Sequence, residues 1–226
     1  MAAGSSSPSD RFSQQGSLRE PAQALALYHL FKWSTIAPLF YLYFRGRVEG
    51  QEHVPMRGPV IAVSNHASDF DPVLLACALR RPVAFMAKEE LFRVPVLKQA
   101  IALYGAYPVR RGMGDRQALK AAMSFLEKGW AAGLFLDGTR TADGRIDNPR
   151  PGAAWIAAKM QVPLLPVCLW GTQHITERGK IRPKPVPITI RIGELIPPPA
   201  STQREQLETA TSRCADMIHR LHDQGH

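Results

Sequence analysis

The sequence has few cysteines, and their arrangement excludes two classes of protein. There are three, Cys77, Cys168 and Cys214, which are widely spaced and form no C-x-x-C pair. Neither a disulfide-stabilised domain nor a zinc ribbon fits this pattern, and a reducing compartment is favoured. The G-x-S-x-G turn of serine lipases and the H-E-x-x-H zinc motif are also missing. We therefore expect no metal site.

Long uninterrupted apolar runs are missing too. The most apolar stretch, residues 22–44, contains Lys32 and Pro38, whereas a spanning helix needs about 20 apolar residues and a central lysine is costly there. The stretch is rich in aromatic residues and is followed by Arg45 and Arg47, which is typical of helices lying among lipid headgroups. An amphipathic helix packed on the protein's own core is the alternative, because its apolar periodicity is the same.

Positive charge is what the sequence has in excess. The 226 residues include 28 Lys and Arg against 19 Asp and Glu, which gives a net charge of +9. This charge favours phosphate-bearing partners, whether nucleic acid, anionic lipid or a phosphorylated substrate. With 45% hydrophobic residues, the chain is long enough to bury the core of one globular domain.

The chain divides into three predicted parts. We predict a flexible arm over residues 1–16, an amphipathic, membrane-associating helical segment over 17–46, and one domain over 47–226. Apolar runs of strand length alternate with helical patterns in this domain, which predicts a single-domain α/β sandwich with a central mixed, largely parallel sheet flanked by helices. The predicted strands cover 59–64, 82–87, 133–137, 163–169 and 188–196, and the predicted helices cover 71–80, 94–103, 115–128, 151–160 and 203–222, the last behind a capping-box pattern from Thr202 to Glu205.

The first predicted strand runs into a turn that combines a histidine with a carboxylate, His66 and Asp71. An imidazole held by a carboxylate on one nitrogen can act as a general base for a hydroxyl group. In a regular helix the two would lie about 140° apart, so they meet only if His66 lies in the turn before the helix. The alternative is that Asp71 caps a helix beginning at Pro72 and that His66 is an ordinary turn residue.

Three further blocks are candidates for binding. GAYPVRRG, residues 105–112, puts two adjacent arginines into a glycine-flanked turn, where guanidinium groups can bind phosphate, although a solvated pair explains them as well. FLDGTR, residues 135–140, adds a hydroxyl and a guanidinium to an Asp-Gly turn at a strand end. VPLLP, residues 162–166, is an apolar strand between prolines and is more typical of a wall.

NHASDFD, GAYPVRRG, FLDGTR and VPLLP occur in the order and with the spacing of the four motifs of the glycerolipid acyltransferases. Over residues 45–195 the chain closely resembles the bacterial-type lysophosphatidic acid acyltransferases of that family. The resemblance implies that His66 deprotonates the sn-2 hydroxyl of lysophosphatidic acid and that Asp71 orients His66. The alkoxide would then attack the thioester of acyl-CoA or acyl-ACP directly and give phosphatidic acid, with no other cofactor.

The same resemblance assigns binding residues. It implies that the acceptor is bound by Arg111, Asp137, Gly138, Thr139 and Arg140, and the acyl donor by the block containing Val162, Pro163 and Pro166. The family usually has Pro-Glu where this chain has Leu136-Asp137. Shortening the side chain withdraws the carboxylate by about 1.5 Å, a misplacement that can cost about 100-fold in rate. Either the loop advances or the acceptor differs.

Other functions stay open at this point. The same chemistry could act on glycerol 3-phosphate or on a lyso-aminolipid. A non-catalytic basic module for anionic lipid or nucleic acid would rest on the net charge and on Arg178 to Lys184. Because no stacking motif or recognition helix is found, we expect no nucleic-acid partner. The resemblance and the aromatic segment favour a peripheral or monotopic protein on an anionic membrane surface, at its cytoplasmic face.

Overall fold

The computed structural model describes residues 30, 34, 36–88, 106–109, 115–176 and 183–226. The strands are β1 (Arg47–Glu49), β2 (Val60–Ser64), β3 (Val83–Lys88), β4 (Ala106–Val109), β5 (Ala131–Phe135), β6 (Leu164–Trp170) and β7 (Thr189–Ile192). The α-helices are α1 (Asp71–Leu79), α2 (Asp115–Glu127), α3 (Gly152–Met160) and α4 (Arg204–His222). Shorter helical turns cover Leu39–Tyr43, Gln51–His53 and Thr172–His174.

The seven strands form one sheet in the order β1-β7-β6-β2-β5-β3-β4. Strands β2 to β6 pair in parallel, β7 is antiparallel to β6, and β1 is parallel to β7. β2 and β6 are almost continuously apolar because the sheet is covered on both faces. The predicted α/β architecture with a mixed, largely parallel sheet is confirmed.

Each face of the sheet packs on its own set of helices. Side chains alternate along a strand, so Ala62 of β2 joins a core with α1 and the turn Leu39–Tyr43, whereas Ile61 and Val63 join a core with α2, α3 and α4. This packing leaves the carboxyl ends of the parallel strands, and the loops after them, at one edge of the sheet.

Two local predictions differ from the structure. β5 ends at Phe135 instead of residue 137, because the chain turns at once through Leu136 and Asp137. Residues 106–109, predicted as part of a turn, form the edge strand β4, where Pro108 is tolerated since an edge strand need not donate every N–H. The rest of that block, including Arg111, and the predicted helix 94–103 lie outside the described residues.

The two ends of the C-terminal region also depart from expectation. The predicted strand 188–196 is interrupted after Ile192, and Ile196 returns as an isolated bridge to Leu164. The capping box at Thr202 is wrong, since no side chain caps the N-terminus of α4. The side-chain oxygen of Gln206 instead accepts a hydrogen bond from the backbone N–H of Ser201 at 2.8 Å.

The N-terminal segment is described from residue 36 onward, with two isolated residues before it, and this part packs by one face on the domain. Phe40 and Phe44 are fully buried in the core beside α1, as the core-packing alternative predicts, while Leu42 is 80% exposed on the other face. Among the residues described, no helix is long and apolar enough to cross a bilayer. The predicted arm over residues 1–16 lies outside them, and the domain boundaries stay predictions.

Candidate active site

The carboxyl ends of β2, β5 and β6 lie side by side. Ser64 of β2 is paired with Phe135 of β5, so His66 and Asp137 each follow their strand by two residues at the same edge. This edge is where open α/β sheets bind ligands, because the loops after parallel strands converge there. The topology thus brings together two blocks that are far apart in the sequence.

His66 and Asp71 meet as predicted. Nδ1 of His66 lies 2.8 Å from Oδ2 of Asp71, which also accepts the backbone N–H groups of Ala67 at 2.7 Å and Ser68 at 2.8 Å. The N–H groups belong to the turn before α1, so the Asp71 carboxylate holds this turn and His66 instead of capping the helix.

The environment of the pair defines the imidazole tautomer. The side chain of Asp71 is 0% exposed and that of His66 is 17% exposed. Since a carboxylate only accepts, the hydrogen bond places the proton of the neutral ring on Nδ1 and the lone pair on Nε2. The carboxylate stabilises the imidazolium that forms when Nε2 takes a proton. The pair is therefore able to act as a general base.

Two residues that the sequence interpretation missed hold this turn in place. The side chain of Asn65 is buried, donates to the carbonyl oxygens of Gly144 at 2.6 Å and Leu169 at 2.9 Å, and accepts from the N–H of Leu169 at 2.8 Å. The backbone N–H of Thr141 donates to the carbonyl oxygen of His66 at 2.8 Å. Asn65 directly precedes the histidine, but its partners are distant in sequence and give no local signal.

A third missed residue, Phe135, covers the face of the imidazole. Its ring and that of His66 are stacked with centroids 3.9 Å apart and an interplanar angle of 12°. The alternation along β5 indicates which face Phe135 occupies, but not that the histidine lies over it.

Asp137, predicted to lie at the acceptor, is engaged with the protein's own backbone. Its side chain is buried, and Oδ1 accepts the N–H groups of Asp147 at 3.1 Å and Asn148 at 2.7 Å. The shorter carboxylate of this chain thus holds the loop after β5. Its second oxygen is buried and has no hydrogen-bond partner within the described part of the chain.

Two guanidinium groups lie near the turn after Asp137. Arg140 pairs with Asp69 at 2.5 Å between Nη1 and Oδ2, and the two side chains are 46% and 77% exposed. Gly138 has φ +66°, and a Cβ placed on it would lie 3.5 to 3.6 Å from side-chain atoms of Arg150. Thr139 is exposed beside them. Arg150 was missed because it belongs to no motif and reaches this turn only in the folded chain.

The VPLLP block lies at the other end of its strand. Val162 and Pro163 directly precede β6, and Pro166 is paired with Val63 of β2. Val162 and Pro163 are buried at the amino edge, so the structure does not bring them to His66. Their assignment to the acyl donor stays a prediction.

The cysteines offer no alternative nucleophile. All three are buried and none forms a disulfide, and burial raises the pKa of the Cys168 and Cys214 thiols to about 12. These two thiols are protonated at neutral pH, whereas nucleophilic cysteines need a thiolate.

Known proteins resemble this chain in sequence and fold. The chloroplastic 1-acyl-sn-glycerol-3-phosphate acyltransferase LPAT1 of Arabidopsis thaliana is 34% identical over 151 residues, which are 65% of this chain and 41% of that protein. The 1-acyl-sn-glycerol-3-phosphate acyltransferase of Borreliella burgdorferi is 27% identical over 173 residues, 76% of this chain and 69% of that protein. The chain thus covers less than half the length of the Arabidopsis relative.

The fold is similar to that of a solved structure, the 1-acyl-sn-glycerophosphate (LPA) acyltransferase PlsC of Thermotoga maritima. The TM-score is 0.71 at 24% identity, over 96% of this chain and 88% of that chain. A family model described as Acyltransferase matches residues 45–170, which include the His66–Asp71 pair and the turn from Asp137 to Arg140. The predicted resemblance is confirmed, and the chain belongs to the Acyltransferase family.

Proposed function

We propose that this protein transfers a fatty acyl group from acyl-CoA or acyl-ACP to the sn-2 hydroxyl of lysophosphatidic acid. The observation that carries the proposal is the buried Asp71 carboxylate 2.8 Å from Nδ1 of His66, at the sheet edge that also carries Arg140. The names of the relatives from Arabidopsis and Borreliella support lysophosphatidic acid as the acceptor.

The proposed reaction is a direct transfer. Nε2 of His66 takes the proton of the acceptor hydroxyl, and the hydroxyl oxygen attacks the thioester carbonyl. The new C–O bond forms, the C–S bond breaks, and the leaving thiolate receives the proton from His66. Asp71 stabilises the imidazolium between these two proton transfers. No acyl-enzyme and no metal takes part.

The acceptor's phosphate is proposed to bind at the turn after β5. Arg140 and Arg150 supply guanidinium groups suited to phosphate oxygens, and Gly138 and Thr139, which directly precede Arg140, are exposed. Arg111 is assigned to the same phosphate by the family resemblance alone. Asp137 acts indirectly in this proposal, because its buried carboxylate holds the loop at Asp147 and Asn148.

A panel of acceptors tests the proposed function. Purified protein receives one labelled acyl chain as acyl-CoA or acyl-ACP, together with lysophosphatidic acid, glycerol 3-phosphate or a lyso-aminolipid. We expect labelled phosphatidic acid as the main product. Transfer to another acceptor would replace the proposed substrate. No transfer with any donor, together with salt-sensitive binding to anionic vesicles or duplex DNA, would favour the non-catalytic basic module.

The ion pair of Asp69 and Arg140 leads to a prediction for acceptor binding. The carboxylate of Asp69 and the phosphate of the acceptor compete for one guanidinium group. Asp69→Asn should therefore lower KM for lysophosphatidic acid by about two- to fivefold, the range set by an exposed ion pair. Steady-state kinetics measure this change, and Asp216→Asn on the exposed face of α4 is the control. An unchanged or higher KM would show that Asp69 does not oppose binding.

We propose that the protein associates peripherally or monotopically with an anionic membrane through the exposed face of its N-terminal segment. Leu30 is 67% and Leu42 80% exposed, with the exposed rings of Tyr41 and Tyr43 beside Leu42. Three buried cysteines without a disulfide fit a reducing compartment and hence the cytoplasmic face.

Leu42→Asp tests the membrane proposal without removing the buried side chains of Phe40 and Phe44, which a deletion of the segment would take away. The change should weaken binding to vesicles containing phosphatidylglycerol by about tenfold, because a leucine buried in lipid contributes about 1.5 kcal/mol or more. Co-sedimentation measures the binding. The control is Met56→Asp, at a side chain 60% exposed. Equal binding by the wild type and Leu42→Asp would contradict the proposal.

A further inference from the structure

The ring of Phe135 stacks on that of His66 where two neighbouring strands end. Ser64 of β2 is paired with Phe135 of β5, and His66 follows Ser64 by two residues in the turn after β2. The two ring centroids are 3.9 Å apart and the interplanar angle is 12°.

The Phe135 ring also packs against a second aromatic ring, that of Phe85. Phe85 of β3 stacks against Phe135 with centroids 6.1 Å apart and an angle of 21°. Phe85 is paired with Gly133, where a Cβ would lie 2.0 Å from Cε1 of the Phe85 ring. The missing side chain at Gly133 thus makes room for Phe85, which supports Phe135 against the imidazole. A ring packed in this way is a fixed part of the site.

The face of a phenyl ring attracts an imidazolium cation more strongly than it attracts a neutral imidazole, because this face carries the negative part of the phenyl quadrupole. The Asp71 carboxylate stabilises positive charge at Nδ1, in the plane of the imidazole, whereas Phe135 lies over its face. Asp69 and Arg140, in the turns beside His66, form an exposed pair and so are screened by water. The buried carboxylate of Asp137, at the same sheet edge, accepts the N–H groups of Asp147 and Asn148. Phe135 is thus a nonpolar contact that interacts more strongly with His66 when the imidazole is protonated than when it is neutral.

We propose that Phe135 is a positioning residue that stabilises the imidazolium form of His66 during acyl transfer. The proposal rests on the proposed function, in which His66 carries a proton between the acceptor hydroxyl and the leaving thiolate. Phe135 also keeps the imidazole in the plane in which Nδ1 faces Asp71, so that Nε2 faces the substrate side.

Two variants separate the charge effect from simple coverage of the ring. Phe135→Leu keeps an apolar side chain over His66 and excludes water, but it has no π face. Phe135→Tyr keeps the aromatic face. In kcat/KM measured against pH, Phe135→Leu should move the acid limb to lower pH by about 0.5 to 1 unit, since the imidazolium is then less stable. Its kcat on the plateau should fall about three- to tenfold.

Phe135→Tyr should retain both the position of the acid limb and the plateau rate within about twofold. Phe125→Leu is the matched control, because Phe125 lies on α2 and its ring contacts Trp130 with centroids 5.5 Å apart. Identical acid limbs in the wild type and Phe135→Leu would overturn the proposal. If Phe135→Leu unfolds, Phe135→Met takes its place.

A titration of His66 by NMR keeps this test distinct from the test of the proposed function. The ring C–H signals of His66, assigned by their loss in His66→Ala, should titrate at lower pH in Phe135→Leu than in the wild type or in Phe135→Tyr. This measurement needs no substrate. If the wild type transfers no acyl group, the proposed function fails while the titration still decides the role of the stack. Equal titration in all three proteins would overturn the role of Phe135.

Discussion

Replacing His66 with alanine is expected to lower kcat for acyl transfer by about a thousandfold, the middle of the range for loss of a general base. Nε2 of this ring is the base in the proposed reaction, and an alanine side chain has no atom that can accept the proton. The fold should survive, because the Asp71 carboxylate still accepts hydrogen bonds from the backbone N–H groups of Ala67 and Ser68 in the variant.

His53→Ala is the matched control for this experiment. His53 is half-buried with Nδ1 2.9 Å from the carbonyl oxygen of Ile192, and it follows β1, which runs antiparallel to β2 and so ends at the opposite edge of the sheet. Single-turnover assays with labelled acyl-CoA or acyl-ACP and circular dichroism should show a rate loss in His66→Ala alone, with both variants folded. Turnover near that of the wild type in His66→Ala would refute the base assignment.

Asp71→Asn is expected to lower kcat by about 10²- to 10⁴-fold, as for other carboxylates that orient a catalytic histidine. The amide oxygen can take over the contacts of Oδ2 with Ala67 and Ser68, but it has no charge to stabilise the imidazolium of His66. The amide nitrogen would replace Oδ1, which is buried and without a hydrogen-bond partner among the described residues. An unpaired buried donor costs about 1 to 3 kcal/mol, so the variant should also be less stable.

A comparison of kcat with KM separates the two effects of Asp71→Asn. KM for lysophosphatidic acid should stay within about threefold, because in the proposed complex Asp71 touches His66 and not the substrate. Thermal unfolding measures the loss of stability, and Asp216→Asn on α4 again serves as the control. A rise in KM without a fall in kcat would show that Asp71 shapes the binding site and does not act through His66.

The local part of the site could be predicted from the sequence because its geometry is short-range. A separation of five residues excludes contact between His66 and Asp71 within one helix, and Pro72 is suited to the first turn of a helix. These facts predict His66 in the turn before α1, as the structure shows. The element types were predictable for the same reason, since apolar alternation and helical periodicity are properties of short segments.

The contacts between segments could not be predicted in this way. The sequence does not say that β5 lies beside β2, so the stacking of Phe135 on His66 and the proximity of Arg150 to Gly138 have no local signal. Asp137 is a second example of contacts between distant segments that the sequence does not predict. Its motif position suggested a role at the acceptor, whereas the fold turns its carboxylate toward the N–H groups of Asp147 and Asn148.

Residue type and spacing thus predict an α/β chain, an aromatic N-terminal segment and a turn in which His66 and Asp71 can meet, and the four ordered motifs give the resemblance to the glycerolipid acyltransferases. The strand order β6-β2-β5-β3 specifies which side chains surround that pair, and packing on α1 turns Phe40 and Phe44 into the core. The physical reason is the distance along the chain over which each property is determined. Backbone conformation and side-chain alternation depend on a few neighbouring residues, whereas strand pairing and burial depend on which distant segments lower the free energy most by packing together.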